Sequence, residues 1–190
     1  MKVLIPVIAA LMLSLCVVAS AATPATIDTQ KSVLTVRVFK TGFFSAFAHD
    51  HEITAPIDGG SFSEDPASVE LKVDARQLKV IDKGVSDNER DKVQKNMQGP
   101  EVLDSEKFPE IRFHSTSVER AGEDGWQVTG DLTLHGETHP VAFKVQKVNG
   151  HYQGKAEVKQ KDFGIAPISI AGGSVKVKNE VRIEFDIVGQ

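Results

Sequence analysis

The chain predicts an all-β, mainly antiparallel fold of about eight strands with one short helix. Three observations carry this reading. Near the C-terminus, Val175, Val177, Val181, Ile183, Phe185 and Ile187 alternate with Lys176, Lys178, Glu180, Arg182, Glu184 and Asp186. That is the period of a half-buried strand, with Asn179 the one polar residue in the apolar phase. Turn signals recur between such runs, notably Gly136-Glu137-Thr138 and the hairpin pair Asn149-Gly150. Only one stretch breaks the rhythm with a helical signature, from Ser86 to Gln98. Strands strung on hairpins in this way close as a barrel or fold as a sandwich.

The first 22 residues stand apart. Lys2 precedes an apolar run from Val3 to Val18, and Ala19-Ser20-Ala21-Ala22 supplies small residues for cleavage. This is the pattern of a secretory signal peptide over residues 1–22, leaving one domain over residues 23–190. Cys16 follows Leu15, where lipid attachment would require a small residue, and it is the sole cysteine. The mature chain would then be exported without a disulfide, so its core must hold it together. Thiol catalysis and cysteine metal sites are excluded for that chain. With 22 Lys and Arg against 26 Asp and Glu the net charge is −4, or −5 without Lys2. Interspersed charge of mildly acidic balance argues against a nucleic-acid partner.

In order, Ser32–Phe39 is rich in β-branched residues and reads as a strand. Lys40-Thr41-Gly42 breaks it, and Phe43, Phe44 and Phe47 follow closely, then His49-Asp50-His51. Pro56 and Gly59-Gly60 read as loop or edge. Val69, Leu71 and Val73 alternate with Glu70, Lys72 and Asp74 as a further strand. Ser86-Asp87-Asn88-Glu89 fits a capping box, which starts a helix that Gly99-Pro100 ends. Its apolar stripe is thin, chiefly Val93 and Met97, which predicts a rim helix covering the barrel mouth. Past Pro109, Ile111 and Phe113 share one face. Trp126, Val128, Gly130, Leu132 and Leu134 share another, before Val141, Phe143 and Val145 and the strand His151–Gln160.

Several segments together resemble a known family. Asn88-Glu89-Arg90-Asp91, the run from Leu103 to Thr116, the segment from Gly130 to Val145, and Lys161-Asp162-Phe163-Gly164-Ile165 are similar to YceI-like exported lipid-binding proteins. The chain departs from that family's pattern after the first strand, where Lys40 and the Phe43–Phe47 cluster stand. The resemblance implies a lipocalin-like extended barrel with an apolar tunnel that holds a polyisoprenoid, a quinone-like molecule or another long-chain amphiphile in the periplasm. It implies a non-enzymatic carrier that is not an integral membrane protein and that carries a bound isoprenoid-type lipid and no covalent cofactor.

The ligand-lining residues expected on this reading are Phe43, Phe47, Val93, Met97, Phe113, Trp126, Leu132, Phe143, Phe163, Val181 and Phe185. The same periodic residues could instead be a filled core in a stress-related interaction module. A second alternative is metal binding, because His49 and His51 face the same side of an extended segment, a spacing that can chelate zinc or copper. No catalytic residues are assigned: the chain has no Gly-x-Ser-x-Gly elbow, and nothing positions a Ser–His–Asp set. An exposed edge strand would also permit a homodimer.

Overall fold

A computed structural model describes residues 23–42, 50–170 and 175–190. In chain order the elements are β1 (Ala25–Thr26), β2 (Val33–Thr41), β3 (His51–Thr54), β4 (Ile57–Glu64), β5 (Ala67–Asp74), β6 (Lys79–Val80), α1 (Asp87–Gln98), β7 (Glu110–Arg120), β8 (Gly125–Leu134), β9 (Glu137–Val148), β10 (His151–Lys159), β11 (Ser169–Ile170) and β12 (Val175–Ile187). Seven of the long strands, β2, β5, β7, β8, β9, β10 and β12, are those the alternation predicts, and the eighth, β4, falls where loop or edge was expected. Four short strands of two to four residues are additional.

Every pairing is antiparallel, and the sheet runs β1-β4-β5-β7-β8-β9-β10-β12-β2-β3-β6 with β11 on β12. The sheet curls, because β3 and β4 lie far apart in this order yet only Ala55-Pro56 separates them. One extended stretch bends there: its first half pairs with β2 and its second with β5. Ala55 still donates to Leu34, while Pro56 has no N–H to place in either ladder. The remaining gap is bridged by Ile27 and Gly189, and the Gln190 amide donates to the Thr26 carbonyl at 2.9 Å.

Gly59-Gly60, expected as loop or edge, lies within β4, between β1 and β5. The glycines are required by packing: a Cβ on Gly60 would collide with the Glu70 carbonyl and lie 2.8 Å from Ile27 Cδ1. Composition alone reads such a pair as a break, whereas here Gly60 allows β4 to approach β5 and the Ile27 side chain closely.

Helix α1 begins as its sequence predicts. The Ser86 hydroxyl accepts from the Glu89 amide, and the Glu89 carboxylate accepts from the Ser86 amide. It packs more deeply than a thin apolar stripe suggests, against Ala55, Val73 and Leu78, which also line the cavity described below. Met97 is buried among Ile53, Ala55, Val73, Leu78 and Val80, with Val93 packed beside it. Gln94 accepts from the Val80 amide and donates to the Leu78 carbonyl, both at 2.8 Å, so its side chain pairs the β6 edge.

The turns follow glycine chemistry. Asn149 and Gly150 both have positive φ, 53° and 83°, as a tight hairpin of the primed type requires. His135 and Gly136 do the same between β8 and β9, at 53° and 79°. That turn therefore lies one residue earlier than Gly136-Glu137-Thr138 suggests. Asn179 sits where the β12–β2 register shifts between Val177 and Val181, and its side chain accepts from the Lys161 amide.

Candidate functional site: an apolar cavity with a polar collar

Inside the curled sheet lies a cavity of about 240 Å³. Along β8 its wall runs from Trp126 through Val128 and Leu132 to Leu134. Eight steps of about 3.3 Å make that wall roughly 26 Å long. Ser63, Glu64, Ser68 and Tyr152 are its only polar lining residues among the described ones. An engineered apolar cavity of roughly 150 Å³ accepts benzene, so this space suits a larger hydrocarbon.

Glycines opposite aromatic rings shape the middle of the wall. Phe113, Phe143 and Phe185 follow one another with ring centroids 5.3 Å apart in each pair. A Cβ on Gly130 would lie 2.5 Å from Phe113 Cζ, and one on Gly154 would collide with Phe185 Cζ. Missing side chains on β8 and β10 thus let large rings lie across the sheet.

The expected lining residues divide into three groups. Phe113, Trp126, Leu132, Phe143 and Phe185 line the cavity. Four others do not. Val93 and Met97 pack in the cluster beneath α1. Val181 packs against the main core cluster. Phe163 is 1% exposed and belongs to that core, in edge contact with His139. The αL glycine Gly164 follows Phe163 and ends a short 3₁₀ turn, which turns the ring inward. Phe43, Phe47 and His49 lie outside the described residues. Phe44 does too.

Histidines at the barrel surface have structural partners. His51 Nδ1 lies 2.6 Å from Asp82, and the His135 ring meets the Phe163 carbonyl at 3.1 Å. His114 and His151 pair with Glu70 and Asp186. Among the described residues no three His, Asp or Glu side chains gather as metal ligands would.

One part of the site escaped sequence reasoning. Glu64 Oε1 accepts from the Tyr152 hydroxyl at 2.5 Å and from Lys147 Nζ at 2.7 Å, while Oε2 accepts from Arg120 at 3.3 Å. The Lys147 hydrogen bond, foremost, holds the Glu64 carboxyl below its ordinary value, and the same bond raises Lys147. Burial, then Glu64, raises the Tyr152 phenol. At neutral pH the group is a carboxylate, an ammonium, a guanidinium and a neutral phenol. The signal was available in the phase of the strands. Gly60 and Phe62 lead to Glu64, Val118 to Arg120, and Val141, Phe143 and Val145 to Lys147. Tyr152, the sole tyrosine, heads Gly154, Ala156 and Val158.

A family model described as a YceI-like domain matches residues 26–189. The chain belongs to the YceI-like family. It is 42% identical over 85 residues to a UPF0312 protein of Pseudomonas putida strain W619, covering 45% of this chain and 43% of that one. It is 36% identical over 117 residues to a UPF0312 protein of Pseudomonas savastanoi pv. phaseolicola, covering 56% and 59%. The chain thus spans about half the length of these curated relatives. Among solved structures, Burkholderia cenocepacia BcnA superposes with a TM-score of 0.63 at 20% identity, covering 86% of this chain and 99% of that chain. A Campylobacter jejuni YceI protein gives 0.50 at 14%, covering 73% and 81%. These likenesses show a shared fold. No helix among the described residues is long and apolar enough to cross a membrane.

Proposed function

We propose that this YceI-like protein is a periplasmic, non-enzymatic carrier that holds one isoprenoid, quinone-like or similar long-chain amphiphile in its cavity. The observation that carries the reading is the wall itself, roughly 26 Å of apolar side chains with polar residues, among the described ones, at one end. Burial of a hydrocarbon chain gains about 0.8 kcal/mol per methylene and makes little directional demand. A cavity with so few polar groups is suited to that gain and poorly suited to acid–base chemistry on a bound substrate. Export by cleavage after residue 22 accounts for the leader-like start and the absence of cysteine from the domain.

Organic extraction of the purified protein followed by mass spectrometry tests the carrier. A long-chain amphiphile in about one-to-one ratio is expected. Trp126 is the single tryptophan and lines the cavity, so its emission should change saturably on titration with an isoprenoid quinone. No extracted amphiphile together with no saturable change would refute the reading. N-terminal sequencing of protein from a periplasmic extract checks the cleavage.

A further inference from the structure

We propose that Glu64, Arg120, Lys147 and Tyr152 form a head-group site, which takes the oxygen-bearing head of an amphiphile, a carbonyl or an oxyanion, and excludes a cationic one. This deepens the carrier reading and rests on it.

Three observations converge. First, each of these residues ends an inward strand phase at the same end of the cavity, beside Trp126. Glu64 lines the cavity and its side chain is also 34% exposed, so this end of the cavity meets solvent. An amphiphile that keeps its head in water and its tail dry therefore points its tail toward Leu132 and Leu134.

Second, the donors outnumber the acceptors. Lys147 has three N–H groups and Arg120 five, and Glu64 is the group's only carboxylate. Both Glu64 oxygens already accept bonds from within the group. What the collar can still offer a ligand is chiefly N–H donation, which a carbonyl or oxyanion accepts.

Third, the aromatic faces that would attract a cationic head are occupied. Lys147 Nζ lies 5.2 Å from the Tyr152 ring centroid, and the Arg120 guanidinium 5.1 Å from that of Trp126. A quaternary ammonium would find the protein's own cations in those places.

The test uses the full exported protein and four probes below their micelle concentrations. These are dodecanoate, 2-tridecanone, dodecyltrimethylammonium, and the apolar fluorophore N-phenyl-1-naphthylamine. Dodecanoate should bind at least tenfold more tightly than dodecyltrimethylammonium. Lys147→Met should remove most of that preference and leave the fluorophore's affinity within twofold, with Lys147→Arg restoring it. Loss for dodecanoate alone assigns an oxyanion head, and loss for 2-tridecanone as well assigns any oxygen acceptor. Equal binding of anion and cation by the wild type would overturn the head-group site, as would a Lys147→Met variant that weakens the fluorophore and dodecanoate alike. If the fluorophore itself does not bind the wild type, the carrier reading fails instead.

Discussion

His51 Nδ1 and Asp82 Oδ2 lie 2.6 Å apart, joining β3 to the segment that leads into α1. Asp82 is only 5% exposed, and its other oxygen accepts from the Glu52 amide at 2.7 Å. The buried group is thus Asp82, whose two oxygens meet the His51 ring and the Glu52 amide. Asp82→Ala should cost about 1–3 kcal/mol, the usual penalty for losing hydrogen bonds to a buried side chain. Urea unfolding measures it, and a midpoint equal to the wild type's would show the pair to be dispensable.

Gly59 and Gly60 are adjacent in β4 but face different surroundings. A Cβ at Gly59 meets nothing within 4 Å, whereas one at Gly60 meets the Glu70 backbone and Ile27. Gly60→Ala should lose about 1–3 kcal/mol through backbone displacement. Gly59→Ala should be neutral or slightly stabilising, because alanine restricts the unfolded chain. Equal melting temperatures for the two variants would contradict the packing account.

Met97 is 7% exposed within the cluster beneath α1. Met97→Ala should cost about 2–5 kcal/mol as a core truncation. Because Met97 does not line the cavity, the affinity of the folded variant for N-phenyl-1-naphthylamine should stay within twofold. A binding defect without a stability defect would place α1 at the ligand instead.

Acid should weaken the fold through three paired carboxylates. The hydrogen bond from Arg76 holds Asp74 down to about 2, against an ordinary 3.8. Lys147 lowers Glu64, and Arg37 lowers Glu184. A carboxyl whose folded pKa is depressed adds stability above its unfolded value, and that stability disappears as pH falls through the folded value. The melting temperature should therefore be lower at pH 3 than at pH 6. Asp74→Asn should narrow the difference, chiefly by lowering the value at pH 6. A variant with the wild-type dependence on pH would remove Asp74 from this account.

The strands were legible because alternation reports one dry face directly, and β12 and β8 show it over most of their length. The capping box of α1 was equally local, since Ser86 and Glu89 lie three residues apart. Tertiary matters were harder to read. The Gly59-Gly60 pair carries the composition of a turn, but the need for it comes from Ile27 and Glu70. Val93 and Met97 form a thin stripe, and Met97 is buried only because Ile53, Ala55, Val73, Leu78 and Val80, distant in sequence, gather around it. Apolar phase marks Phe113 and Val181 alike as inward, yet it cannot say that one faces a cavity and the other packs against a core. The polar collar required registering four strands against one another. Each strand alone shows only an inward series ending in a polar residue.

The hydrogen bond between Gln190 and Thr26 has a practical consequence. The two described ends of the domain leave the barrel side by side, so a very short linker could join them. Closing so small a gap adds little loop entropy. The chain could then be reopened at Asn149-Gly150, giving a circular permutant with the same sheet order. By the same geometry, the barrel could be grafted into a surface loop of a host protein without prising the host's own loop ends apart.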